Sequence, residues 1–165
     1  MEKRYRVAVI TSSDSGFQGL REDVSGPTIQ AIAEQHGFQV VEYQILPDEP
    51  SVLEESLKNL CDNGIADLVL TTGGTGFSPR DCMPEATLAI IERETPGIPE
   101  AMRYYSMQFT KRAMLSRAVA GIRKEALIVN LPGSPKAVEE CLTYIIDELL
   151  HGLEILQAQA HNCAR

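Results

Sequence analysis

Cysteine and histidine are sparse in this chain. The four cysteines stand at 61, 82, 141 and 163 with no CxxC pair, and the three histidines are equally dispersed. Neither a zinc site nor a disulfide framework is therefore indicated, and reduced thiols are expected. No apolar run approaches the roughly 20 residues of a membrane span, and Met1-Glu-Lys-Arg leads directly into a strand-like segment. These features point to a soluble, untargeted, cytoplasmic protein. The sequence also lacks a Walker motif, a GxGxxG fingerprint and any recognisable Ser-His-Asp arrangement. P-loop NTPases, dinucleotide dehydrogenases and triad hydrolases are thus unsupported. The net charge of −8 argues against nonspecific nucleic-acid binding, because a phosphate backbone rewards basic surfaces. Internal repeats, linkers and low-complexity segments are missing as well.

What is present is enough for one domain over residues 1–165, long enough to bury a core without staples. Residues 5–11 (YRVAVIT) read as a first strand, and 12–23 as a polar loop. A helix then starts near Ser25-Gly-Pro27, with Ile29, Ile32 and Ala33 on one face and Gly37 as its stop. Residues 38–46 form the next strand, broken by Pro47-Asp-Glu-Pro50. Ser51 with Glu54 three residues later has the pattern of a capping box, opening a helix to about Asn63 that Gly64 ends. A buried strand follows at 67–72, then helices over about 84–94 and 99–109, separated by Pro-Gly-Ile-Pro, and a turn around Leu115-Ser-Arg117. Residues 126–131 (ALIVNL) form another buried strand. Beyond it, Val138, Cys141, Leu142, Ile145, Leu149, Leu153 and Leu156 keep helical period in a long final helix. Strands alternating with helices predict an α/β fold, a mostly parallel open sheet with helices on both faces.

In such sheets ligands bind beyond the carboxyl ends of the strands, which selects the loops at 12–23, 47–50, 73–81 and 132–135. The third of these lies in Thr71 to Thr87, TTGGTGFSPRDCMPEAT. Gly73, Gly74 and Gly76, with Thr75 between them, allow a nest of amides close to a phosphate or carboxylate, although a plain tight turn also accounts for them. Asp81 beside such a nest makes sense if a cation such as Mg²⁺ lies between carboxylate and phosphate, or if it orients a reacting group. Asp48 stands just past its own strand and should meet Asp81 at the common edge. Turn formation at Asp48 and helix capping at Asp81 are the structural alternatives, and Glu85 suits the helix dipole. Arg80 either contacts phosphate or pairs with a carboxylate. Ser12, Ser13 and Asp14 offer polar groups to a heterocycle. Gly133, Ser134 and Lys136 form a second anion-binding helix start, where Ser134 serves equally well as an N-cap. Residues 101–124 hold Arg103, Lys111, Arg112, Arg117, Arg123 and Lys124 without one acid. A solvated face or subunit contact is the default account of such a run, with one or two of these cations left to reach a phosphate.

Taken together, VAVITSSDSG, the SGP at 25–27, LPDE at 46–49, TTGGTGFSPRDCMPEAT, ERETPG at 92–97, AMLSRAVAGIR at 113–123 and LPGSPKAVEEC at 131–141 resemble the molybdopterin adenylyltransferase family, MogA/MoaB. The resemblance runs from the first strand to the last helix, with Cys82-Met83 departing from the Val-Thr of many relatives. It implies a three-layer α/β/α domain, a homotrimer, and transfer of AMP from MgATP to molybdopterin with release of pyrophosphate. It further implies catalytic, Mg²⁺-associated aspartates at Asp48 and Asp81, and hand-over of product to a molybdenum insertion protein. A noncatalytic pterin-binding scaffold of the same family, or a nucleotide hydrolase of the competence-damage type, are the alternatives.

Overall fold

The β-branched and aliphatic runs anticipated in the sequence become the middle of a sheet. In the computed structural model, which describes residues 3–158, strands β1 (Arg6–Ser12), β2 (Gln39–Leu46), β3 (Leu68–Thr72), β4 (Arg93–Glu94), β5 (Ala120–Arg123) and β6 (Ala126–Leu131) form one six-stranded sheet in the order β2-β1-β3-β6-β5-β4. β2, β1, β3 and β6 are mutually parallel, with Val9 opposite Leu70 and Leu70 opposite Val129 at the centre. Every residue of β3 and β6 is buried, as expected for parallel strands covered on both faces.

Side-chain alternation along the strands divides the core into two layers. Val7, Val9, Leu70 and Val129 face Ile29, Ile32 and Ala33 of α2 (Ser25–Gln35) and Leu142, Ile146 and Leu149 of α6 (Pro135–Leu156). Ala8, Ile10, Val69 and Ile128 point the other way, onto Leu53, Leu57 and Leu60 of α3 (Pro50–Asp62) and Met83, Ala86 and Ile90 of α4 (Met83–Ile90). This is the three-layer α/β/α architecture anticipated. Among the described residues no helix is long and apolar enough to cross a membrane. Cys61, Cys82 and Cys141 are free thiols. Cys163 and His161, together with Met1 and Glu2, lie outside the described residues.

Several local expectations are corrected. The helix expected to run to residue 94 stops at Ile90, because Arg93–Glu94 pairs antiparallel with β5, a strand not expected between the turn at 115–117 and the strand at 126–131. β5 is short and its Gly121 weakens any strand pattern; pairing with β6 supplies the hydrogen bonds that make it a strand. The next helix, α5, spans Gly97–Ser106, and a 3-10 turn at Lys111–Leu115 follows. The capping box at Ser51 is not formed. α3 begins one residue earlier, at Pro50, which has a fixed φ and no N–H to satisfy and so takes the first helical position, after a Glu49 cap without a side-chain bond. Inside the presumed loop 12–23, α1 (Asp14–Phe17) forms, with the Ser13 hydroxyl accepting the Gly16 N–H at 3.0 Å.

Asn130 is the polar staple of the centre. Fully buried on β6, it donates to Thr71 Oγ1 at 3.1 Å and Thr87 Oγ1 at 3.0 Å, while its side-chain oxygen accepts the Val119 N–H at 3.2 Å. It therefore joins β3, α4 and the entrance to β5. Replacing Asn130 with Ala leaves buried groups unpaired and is expected to cost about 1–3 kcal/mol. Urea unfolding checks this: the midpoint should drop at unchanged m-value, and an unmoved midpoint refutes the role.

Candidate active site

The parallel strands release their chains at one edge, and the loops that follow meet there backbone to backbone. Gly73, at the end of β3, adopts φ +86°, and a Cβ on it would run into the carbonyl oxygen of Ser12. Gly74, at φ +69°, leaves room for the Met83 side chain and Ser12 Oγ, each 3.3 Å from where a Cβ would stand. On the far side, Gly133 of the β6–α6 loop approaches Gly73 Cα to 3.6 Å from its own Cβ position. Gly76 does not use positive φ. Its lack of a side chain serves the neighbouring acid instead, since a Cβ there would stand 3.0 Å from Asp81 Oδ2. Thr75 is buried between them.

Asp48 and Asp81 flank this glycine loop from opposite ends. The Asp48 carboxylate lies at Gly74, where a Cβ would be 3.5 Å from its Oδ1. Ser12 Oγ donates to that oxygen at 2.6 Å, and the Asp14 N–H donates to Oδ2 at 3.0 Å. In return the Asp48 N–H donates to Asp14 Oδ1 at 2.9 Å, so the two aspartates lock the β1 and β2 loops together. Asp81 is held within its own loop by the Ser78 N–H at 3.1 Å and does not cap α4, whose N-cap is Cys82. No group of three or more His, Cys, Asp or Glu suited to a metal occurs among the described residues. Asp48 and Asp81 are the carboxylates beside the glycine loop that could meet a hard cation such as Mg²⁺, whose remaining oxygens would come from phosphates and water.

Arg80 spends its fork on carboxylates. It bonds Asp14 through Nε at 3.0 Å and Nη2 at 3.2 Å, and Glu49 through Nη2 at 2.7 Å. Arg80, helped by the Asp48 backbone N–H, holds the Asp14 carboxyl below the usual carboxylate range. Beneath them the Cys82 thiol is pushed up to about 11 by burial and by the charge of Asp48, which removes it as a nucleophile at neutral pH. Ser134 is shown to be an N-cap, accepting the Ala137 N–H at 3.2 Å, and Lys136 is exposed in the first turn of α6.

Beside the glycine loop opens a polar cleft of about 380 Å³, lined by Thr11, Ser12, Asp23, Ser25, Gly73 and Ser134. An apolar cavity of about 300 Å³ lies by Thr75, Gly76, Met102, Leu115 and Cys141. The polar cleft has residues that sequence reasoning missed. Asp23 accepts from Thr11 Oγ1 at 2.7 Å, from the Gly26 N–H at 3.1 Å and from the Tyr43 hydroxyl. Burial, and then that bond to Asp23, push the Tyr43 phenol up. Ser25 Oγ donates to the Gly133 carbonyl at 2.7 Å, closing one wall. The Asp23-to-Gly26 spacing is a local turn signal, whereas Tyr43 reaches the site only through the pairing of β2 with β1. The basic run divides in half: Arg103, Arg117 and Arg123 bond main-chain carbonyls, whereas Lys111, Arg112 and Lys124 are exposed.

Residues 8–152 match the family described as "Probable molybdopterin binding domain". The chain is 40% identical over 152 residues to the molybdopterin adenylyltransferase of Helicobacter pylori, covering 91% of this chain and 86% of that protein. It is 45% identical over 145 residues to the molybdopterin adenylyltransferase of Haemophilus influenzae, covering 87% and 74% respectively. Among solved structures it is similar to the molybdopterin biosynthesis enzyme MoaB of Thermus thermophilus, with a TM-score of 0.88 and 42% identity over 93% of this chain and 97% of that one.

The Asp14–Arg80 pair has a pH signature. Its depressed carboxyl contributes stability that is complete above the unfolded value of about 3.9 and is lost as pH falls through the lower folded value. In Arg80→Gln the Asp14 carboxyl resonance should titrate closer to that ordinary value. An unchanged titration would show that Arg80 does not govern it.

Proposed function

The chain belongs to the molybdopterin-binding domain family, and on that premise we propose that it is a molybdopterin adenylyltransferase, moving AMP from MgATP to the terminal phosphate of molybdopterin. The observation that carries this reading is the glycine loop flanked by Asp48 at Gly74 and Asp81 at Gly76, at the edge where the parallel strands end. Chemically, a phosphate oxygen of molybdopterin forms a bond to the α-phosphorus, the bond to the bridging oxygen breaks, and pyrophosphate departs. A phosphomonoester has a second pKa of about 6, so this nucleophile is already largely ionised at pH 7 and needs no general base. The barrier is the approach of two polyanions, which calls for neutralisation and fixed geometry.

Each part of the edge suits a share of that task. Gly73, Gly74, Thr75 and Gly76 bring main-chain amides to a phosphate. Asp48 and Asp81 would hold or orient the Mg²⁺-triphosphate, the metal neutralising phosphate charge. Ser12, Asp14, Gly133, Ser134 and Lys136 seat substrate around the polar cleft. Arg80 is one exchange of partners away from phosphate, since its present partners are the half-buried Asp14 and exposed Glu49 carboxylates. The reading extends to one domain over residues 1–165, a homotrimer, a cytoplasmic setting and hand-over of product to a molybdenum insertion protein. Exposed Tyr104, Phe109, Met114 and Leu115 support association, because apolar side chains gathered on one segment favour being covered.

The test is turnover. With molybdopterin and MgATP the protein should form adenylylated molybdopterin and pyrophosphate, and Asp48→Asn and Asp81→Asn should each lower kcat by roughly a hundredfold or more. Tight pterin binding without product from the unaltered protein would replace the enzyme with a scaffold. Full turnover by either variant would remove that aspartate from the chemistry.

A further inference from the structure

We propose that Arg117 is a positioning residue that holds the glycine loop and Asp81 in their working geometry from behind the site; this rests on reading that loop as the phosphate-binding element. Three loop carbonyls turn toward this one residue. The Arg117 N–H donates to Thr75 O at 2.9 Å, its Nε to Gly76 O at 2.7 Å and its Nη2 to Asp81 O at 3.1 Å. In a trans peptide the C=O and the following N–H point in opposite directions. Fixing the carbonyls of 75, 76 and 81 therefore turns the N–H groups of Gly76, Phe77 and Cys82 away from Arg117. The direction of amides in a glycine-rich loop is the property that decides whether they can converge on an anion. Glycine at 73, 74 and 76 leaves that direction weakly specified by the loop itself. Arg117 supplies the missing specification.

Its charge is not directed at substrate. The remaining arm, Nη1, pairs with Glu85 in the first turn of α4, the helix that the loop enters. Loop and helix start are thereby held by one planar group, and a point charge such as lysine cannot reach these acceptors together. Arg117 itself stands on fixed backbone. Arg103 of α5 donates through Nη1 to the carbonyls on either side, Ser116 O at 3.3 Å and Ala118 O at 2.9 Å. Val119 is bonded both ways to Asn130, through its N–H at 3.2 Å and its carbonyl at 3.0 Å. The Asp81 geometry is therefore traceable through Arg117 to the buried centre of the sheet, which makes the basic stretch around it part of the site's support.

Arg117→Ala and Arg117→Lys should be made alone and with Asp81→Asn, beside Glu85→Gln, and kcat and KM for MgATP measured at saturating molybdopterin. If Arg117 works through the loop and Asp81, both substitutions lower kcat by on the order of tenfold to a hundredfold. The same substitutions add no more than about twofold once Asp81 is Asn, the non-additivity expected of residues acting as a unit. Added guanidinium ion should restore part of the Arg117→Ala rate, and Glu85→Gln, which can still accept from Arg117, should stay near the unaltered protein. A general loss of stability predicts neither the non-additivity nor the rescue. Wild-type kcat in Arg117→Lys, or a full multiplicative loss in the Asp81→Asn background, overturns the proposal. If the unaltered protein forms no adenylylated product, the proposed function fails, and hydrogen exchange of residues 75–82 still decides this inference. Faster exchange in Arg117→Lys than in Glu85→Gln sustains it, and equal exchange overturns it.

Discussion

The approach of Gly73 to the backbone of Ser12 is the constraint on which the site depends. β1 and β3 are adjacent parallel strands that end together, Thr11 opposite Thr72, so the loops leaving them compete for the same space. Only a residue with no Cβ lets one main chain pass over the other, and only glycine does so comfortably at φ +86°. The saving in space is then used on the far side, where Gly133 closes on Gly73 and brings the start of α6 to the same point. Every candidate functional group is measured from this contact. Ser12 presents its hydroxyl to Asp48, Gly74 makes room beside it, and Ser25 ties Gly133 to the start of α2.

An acidic protein that handles anions must manage its charge locally. With 23 acidic against 15 basic residues, bulk potential works against anionic ligands. In the reading proposed here, main-chain amides and helix starts, whose partial charges are fixed in direction, take that part, while the carboxylates stay bound to specific donors. Asp48, Asp14 and Arg80 form a continuous exchange of hydrogen bonds between loops from three different strands. Because Arg80 and Glu49 are exposed and Asp14 is only half-buried, this pairing adds little stability. The pair formed by Arg6 with the nearly buried Asp67, at the opposite edge of the sheet, anchors β1 to β3 where no ligand is expected.

Much of the fold was legible in the sequence for reasons that are local. The short β-branched and aliphatic runs at 68–72 and 126–131, interrupted only by Thr71, Thr72 and Asn130, have the pattern of strands buried on both faces, and the period of 138–156 is that of a helix with one covered side. β5 was not legible, because a four-residue segment containing Gly121 carries almost no pattern of its own and becomes a strand by pairing with β6. The same holds for Arg93–Glu94, two exposed charged residues that read as the end of a helix until β5 gives them a partner.

The division at the site has the same origin. Residues whose role comes from their own backbone or nearest neighbours were legible in the sequence: the glycines that permit tight approach, and Pro84 just inside a helix start. Asp48 and Asp81 could be assigned to one edge because parallel topology sends all strand ends the same way. Only tertiary structure decided which side chains hold them there. Asp14 meets Asp48 across 34 positions of chain, Tyr43 meets Asp23 by strand register, and Arg117 meets Asp81 because Arg103 and Asn130 fix the segment between them. Such partnerships leave no periodicity and no composition bias, since a hydrogen bond formed across the fold depends on distances that exist only once the sheet has assembled.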